Sequence, residues 1–225
     1  MGAANGNAYP GVSAGASSGL ARGVTAAAPG VVTVDHWFDF ICPYCYVAQD
    51  RNRVLRERGL HVVEHALRVH PEIGPGGVVV GPRSGPAYER LAREAEAAGL
   101  PLRWTDRIPY ARPALAAAEW IRENLPEEVG ERFRAAVFSA YFRDGLDIES
   151  ADLLVEVAGQ AGADAEAVRG ALRSAAAGEA LARSEARARR LGVTGTPAWV
   201  AATGAVSGLR PRQFFTDWAR TVIPG

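Results

Sequence analysis

The sequence predicts an α/β fold in which a long helical segment interrupts the parts of the chain that build the sheet. Three observations carry that prediction. A strand, a helix and a second strand follow one another within some forty residues of Val31, the stretch from Ala87 to Leu191 has helical periodicity, and two short strands and an amphipathic helix close the chain. A chain of 225 residues is long for one compact unit and short for two full-sized ones, which fits one domain carrying a large insertion.

The first thirty residues hold nineteen Ala, Gly or Ser and a single charge, Arg22. Gly, Ser and Asn break up every apolar stretch, so the segment does not read as a secretory signal. It has too little apolar surface to offset the entropy of ordering, and residues 1–30 are expected to form a disordered tail. Val31 to Phe38 is rich in β-branched and aromatic residues and reads as a strand. Cys42-Pro43-Tyr44-Cys45 follows, and Tyr46 to Arg58 places Val47, Val54 and Leu55 at helical spacing before Gly59 ends the run. Leu60 to Val69 is a second strand, apolar enough for burial on both faces. The βαβ order implies parallel pairing with a right-handed crossover.

His70 to Pro86, with four Pro and five Gly, reads as loop. From Ala87 to Leu191 the chain reads as almost wholly helical, cut by Pro and Gly into five or six helices. Gly192 to Pro197 breaks that run, after which Ala198–Ala202 and Gly204–Ser207 are strand candidates and Pro211–Thr221 is the last helix. The units are therefore 1–30, 31–85, 86–191 and 192–225.

Composition excludes several function classes. Twenty-five Arg balance twenty-five Asp and Glu, so no basic surplus marks a nucleic-acid partner. No run of eighteen apolar residues exists, so no membrane-spanning helix is expected, and without a signal the expected location is the cytoplasm. The two cysteines stand three positions apart and cannot staple a secreted fold.

That pair carries the chemistry. Cys42 ends a loop where a helix begins, and the unpaired N–H groups and partial positive charge there favour a thiolate. Cys42 is the expected nucleophile. Pro43 suits the first helical turn, because its missing N–H would have had no partner. Cys45, one turn further on, is placed to attack a mixed disulfide on Cys42 and release the product. Zinc would need two further ligands, and His36, His61, His65 and His70 offer no second paired motif, so no metal is expected. A structural disulfide closing so short a loop would stabilise little.

Asp39-Phe40-Ile41-Cys42-Pro43-Tyr44-Cys45-Tyr46 resembles the active-site stretch of DsbA-like thiol–disulfide oxidoreductases, in particular the subgroup of the frenolicin-biosynthesis protein and the 2-hydroxychromene-2-carboxylate isomerases. Gly192-Val193-Thr194-Gly195-Thr196-Pro197-Ala198-Trp199-Val200 resembles the cis-proline loop of the same family and the strand after it. The resemblance covers residue 31 to about residue 221. It implies a thioredoxin fold, with residues 31–85 as the βαβ half, 86–191 as an inserted helical lid over the dithiol, and 192–225 as the ββα half. It also implies a cis Pro197 facing the cysteines, with Pro43, Tyr44, Thr196 and Pro197 around the substrate and the Thr196 backbone open to strand addition.

His36, six residues before Cys42, stands where many thioredoxin-fold enzymes have a buried acid. It reads as a packed strand histidine, with tuning of Cys45 or shuttling of its proton as the functional alternative. Asp39 reads as a loop hydrogen-bonder rather than a catalytic acid. Trp37, Trp104, Trp120, Trp199 and Trp218 read as core, and Arg183 to Arg190 as a solvated helix face. The expected partners are a protein or small-molecule thiol or disulfide substrate and a recycling thiol reductant or oxidant. No cofactor is expected beyond a low-molecular-weight thiol such as glutathione acting as co-substrate. A glutathione-type thiol-dependent isomerase or transferase, or a natural-product biosynthetic enzyme on this fold, is the alternative; the isomerases of the family usually have Ser at the first cysteine, which this chain lacks.

Overall fold

The computed structural model describes residues 31–223; the tail expected over residues 1–30 lies outside them. The chain runs β1 (Thr33–Phe38), α1 (Pro43–Glu57), β2 (His61–Ala66), β3 (Val78–Val79), α2 (Pro86–Ala97) and β4 (Arg107–Ile108). It continues through α3 (Arg112–Asn124), α4 (Glu127–Phe142), α5 (Ala151–Gln160), α6 (Ala165–Arg173) and α7 (Ala176–Arg190), then β5 (Ala198–Ala201), β6 (Gly204–Ser207) and α8 (Arg212–Val222). This is an α/β molecule with the thioredoxin-like arrangement and a helical insertion between the two halves of the sheet.

One mixed sheet has the order β2-β1-β5-β6. β1 pairs with β2 in parallel and with β5 in antiparallel, and β6 extends β5 as a hairpin. Alternation along β1 sends Val34, His36 and Phe38 to one face and Asp35 and Trp37 to the other. On the first face Val34, Val62 and Trp199 form a core with Leu55 of α1 and Phe215 of α8. On the second, Trp37 and Val200 meet Ala188 of α7 and Val193. The largest core runs from Phe38, Phe40, Cys42, Cys45 and Tyr46 without a break into α3, α4, α5 and α6. Aromatic rings of α4 bear directly on the dithiol helix: Phe138 lies 4.9 Å from Phe40, and Phe142 stacks on Tyr46 at 4.9 Å.

β2 is an edge strand, yet its last residue is closed off by side chains of the insertion. The Ala66 N–H donates to Glu119 of α3, and the Ala66 carbonyl accepts from Ser184 of α7 at 2.7 Å. An open edge is a pairing hazard, and these two buried groups close it at Ala66. They also fasten the insertion to the sheet.

Two expectations need correction. The span from Ala87 to Leu191 contains β4, which pairs with β3 across the segment read as loop, Val78 against Ile108 and Val79 against Arg107. Two-residue strands are too short to show alternation, and their pairing is decided thirty residues away. The tryptophans are mostly core as read: Trp37 and Trp199 are buried, and Trp104, Trp120 and Trp218 are partly buried and pack against the core. The face from Arg183 to Arg190 is not wholly solvated, because Arg187 turns inward and donates to Asp35 at 2.7 Å. Asp35 is fully buried. Burial alone would raise its pKa, but His65 and Arg187 outweigh that and hold it below the usual carboxylate value.

Candidate active site

Helix α1 begins directly after Cys42, which occupies the N-cap position with extended backbone, and Pro43 starts the helical turns. The turn before it is closed by the Cys42 N–H donating to the Asp39 carbonyl at 3.1 Å. The Cys42 carbonyl in turn accepts from the N–H groups of Cys45 and Tyr46 at 3.0 and 3.2 Å, which brings Cys45 back over Cys42. No side chain caps this helix, so its first N–H groups are left without a side-chain acceptor at the Cys42 end.

Both cysteines are free thiols, Cys42 5% exposed and Cys45 fully buried. Only Cys42 can meet a substrate. Burial works against ionisation of Cys42, but the Cys45 thiol and N–H and the Thr196 side chain outweigh it and lower its pKa. The Thr196 hydroxyl has no fixed partner of its own, so it is free to turn toward the sulfur. Cys45 moves the opposite way, raised well above the ordinary thiol value by burial and then by the adjacent Cys42 sulfur. The pair thus divides into a thiolate-forming outer cysteine and a proton-holding inner one.

The second motif closes the site from 154 residues away. The Cys42 thiol donates to the Thr196 carbonyl at 3.6 Å, and the Thr196–Pro197 bond is cis. The Pro197 carbonyl accepts from the Gly208 N–H at 2.8 Å, which ties this loop to the end of β6. Pro43 is buried. Tyr44 is partly buried and packs toward Leu100, Leu102 and Trp104 of the segment before β4. The insertion therefore forms one wall of the site.

Asp39 is fully buried below the turn, and its carboxylate accepts from Ile41 N–H at 3.1 Å and Val69 N–H at 2.9 Å. It is the loop hydrogen-bonder read from the sequence, but with an added property. Burial raises its pKa to about 6 despite those two hydrogen bonds, and its charge opposes ionisation of Cys42. His36 lies deeper in the sheet, stacked on Trp199 at 4.7 Å with Nδ1 2.9 Å from the Asn52 amide. No hydrogen bond joins it to either sulfur. Burial lowers its pKa even against the pull of Glu64, so the ring is neutral.

Sequence reasoning missed the network behind His36. Glu64 is buried, accepts from Arg56 at 2.8 Å and lies 3.5 Å from His36, and Trp199 Nε1 donates to Asn52 at 2.7 Å. The available signal was a lone acid in the middle of an apolar strand, which calls for buried partners. Among the described residues no cluster of three or more His, Cys, Asp or Glu side chains is arranged to hold a metal ion, and no helix is long and apolar enough to cross a membrane.

Comparison with known proteins agrees with this geometry. A 2-hydroxychromene-2-carboxylate isomerase of Sphingobium xenophagum is 28% identical over 172 residues, covering 73% of this chain and 86% of that protein. The crystal structure of a probable DsbA oxidoreductase from Streptomyces coelicolor superposes with a TM-score of 0.71 at 26% identity, covering 85% of this chain and 89% of the other. A solved 2-hydroxychromene-2-carboxylate isomerase shares the fold with a TM-score of 0.66 at 23% identity, covering 84% and 94% of the two chains. The DSBA-like thioredoxin domain model matches residues 33–218, which takes in the dithiol, the helical insertion and the proline loop. The chain belongs to the DSBA-like thioredoxin domain family.

Proposed function

We propose that this protein is an enzyme of thiol–disulfide exchange, with Cys42 as nucleophile and Cys45 as the resolving thiol. The observation that carries the reading is geometric: Cys42 stands at the uncapped start of α1 against the Thr196 carbonyl of the cis-proline loop, and Cys45 lies buried one helical turn behind it, with the two thiol pKa values displaced in opposite directions. The Cys42 thiolate attacks one sulfur of a substrate disulfide, and the other sulfur leaves as a thiolate and takes up a proton. Cys42 then has no charge, so the electrostatic part of what holds the Cys45 proton disappears. Cys45 loses that proton and attacks Cys42, releasing the second substrate thiol and leaving a Cys42–Cys45 disulfide. Two electrons pass from dithiol to substrate, and two equivalents of a recycling thiol return them and leave joined as a disulfide; the reverse sequence oxidises a substrate dithiol. Pro43, Tyr44 and Pro197 would border the substrate, with the Thr196 backbone pairing to an extended one. A low-molecular-weight thiol such as glutathione fits the recycling role, and the cytoplasm is where such a thiol keeps the pair reduced.

The 28% identical isomerase supports a second reading, thiol-dependent isomerisation of a small molecule, including an intermediate of natural-product synthesis. Cys45→Ser separates the two. Under the exchange reading the variant accumulates a mixed disulfide on Cys42 and loses multiple turnover, visible by mass spectrometry and by reduction of a model disulfide. Full turnover without Cys45, or a pair that cannot be cycled by a redox buffer, would defeat the exchange reading.

A further inference from the structure

Away from the dithiol, the seam between β2 and the insertion holds a half-open cleft of about 270 Å³. His61 and Glu64 of β2, Arg122 of α3, and Gly130 and Arg134 of α4 line it. Arg134 is 5% exposed, and a buried guanidinium normally has its donors filled. Here its acceptor is one oxygen of Glu64 at 3.4 Å, which already takes a 2.8 Å bond from Arg56, and the Arg134 Nε has no acceptor. His61 is likewise half satisfied. Its Nε2 is held 3.0 Å from the Glu127 carboxylate, and its Nδ1 is buried without a partner.

Two backbone features favour a ligand over an accidental void. Helix α4 opens at this cleft with Pro126 at the N-cap and no side-chain cap; the Val129 N–H turns back to the Pro126 carbonyl, and the N–H groups of Glu127 and Glu128 and the positive helix end stay available. Gly130 lets the Arg134 guanidinium lie against α4, because a Cβ there would stand 3.0 Å from Nη1 and push it aside. The carboxylates at the seam do not fill the role. Glu64 and Glu131 are matched by Arg56, Glu127 holds His61, and Glu119 and Glu123 hold Arg122.

From these unfilled donors and the uncapped helix start, we infer that the seam binds a small oxyanion, inorganic phosphate in its monohydrogen form. Arg134 and the first turn of α4 would donate to its oxygens. With Nε2–H committed to Glu127, the Nδ1 lone pair of His61 would accept the phosphate hydrogen. Sulfate has the same shape and charge but no hydrogen to give. The ligand would join α4 to β2, so its binding would strengthen the attachment of the insertion to the sheet.

Titration calorimetry and thermal unfolding of the full chain at pH 8, with phosphate exchanged for chloride at constant ionic strength, test this. Saturable phosphate binding with a matching rise in Tm is expected, at least ten-fold weaker for sulfate and at least ten-fold weaker for phosphate in Arg134→Met. Gly130→Ala keeps every side-chain donor and suits a helix interior, so it covers the case in which Arg134→Met does not fold; it too should weaken binding several-fold. Absence of saturable binding, equal affinity for sulfate, or unchanged affinity in Gly130→Ala and in folded Arg134→Met would overturn the site.

Discussion

Replacing Asp39 by Asn should change how stability depends on pH, and the size of the change follows from where the carboxyl sits. Asp39 is fully buried and its pKa is raised from 3.8 to about 6. Between those values the unfolded chain gives up this proton while the folded chain keeps it, so the folded state binds more protons and stability falls as pH rises. The contribution is fully present below pH 3.8 and is lost as pH rises through 6. A displacement of about two units at ~1.4 kcal/mol each limits the loss to ~3 kcal/mol, of which about 2–3 kcal/mol falls between pH 4 and pH 7. Asp35 and Glu64 are displaced downward and act in the opposite sense, gaining stability as pH rises. Both remain in Asp39→Asn and cancel in the difference. Urea unfolding of the two proteins at pH 4 and at pH 7 should therefore show the advantage of the unmodified protein over the variant shrinking by about 2–3 kcal/mol. The loss of one carboxylate oxygen facing Ile41 or Val69 adds an offset that does not vary with pH. The same substitution removes a negative charge that opposes the Cys42 thiolate, so Cys42 should alkylate faster in the variant at neutral pH. A stability difference independent of pH would show that Asp39 ionises as an exposed carboxyl does, and the account of the turn would fail.

Limited iodoacetamide treatment at pH 7 should label Cys42 first, because Cys45 is both fully buried and raised in pKa; predominant labelling of Cys45 by peptide mass spectrometry would reverse the assignment. Glu119→Ala leaves the buried Ala66 N–H without an acceptor and should cost ~1–3 kcal/mol in urea unfolding, with Glu119→Gln retaining most of the stability; equal losses would point to charge rather than capping. Phe138→Ala opens a cavity against Phe38, Phe40 and Tyr46 and should cost ~3–5 kcal/mol, and a loss under ~1 kcal/mol would mean that the α4 aromatics do not brace the dithiol helix.

Much of this molecule was legible along the chain because the determining interactions are local. The βαβ start, the helix opening at Cys42, the place of Cys45 one turn further on and the ββα finish all follow from hydrophobic period, turn residues and the chemistry of a helix terminus, none of which needs a distant partner. The meeting of Cys42 with Thr196 came from the resemblance of two motifs, since nothing local to either specifies a contact across 154 residues. Tertiary structure alone decided the rest. Asp39 has the sequence context of an ordinary loop acid, and only its burial raises its pKa. His36 and Glu64 belong to separate strands and become partners through the parallel register that sets one opposite the other. Arg187 reads as a surface residue until the packing of α7 brings it onto Asp35, and β3 and β4 exist as strands through each other. Residue pattern encodes which element forms and which face it buries, whereas desolvation and charge pairing depend on what the remainder of the chain packs against that face.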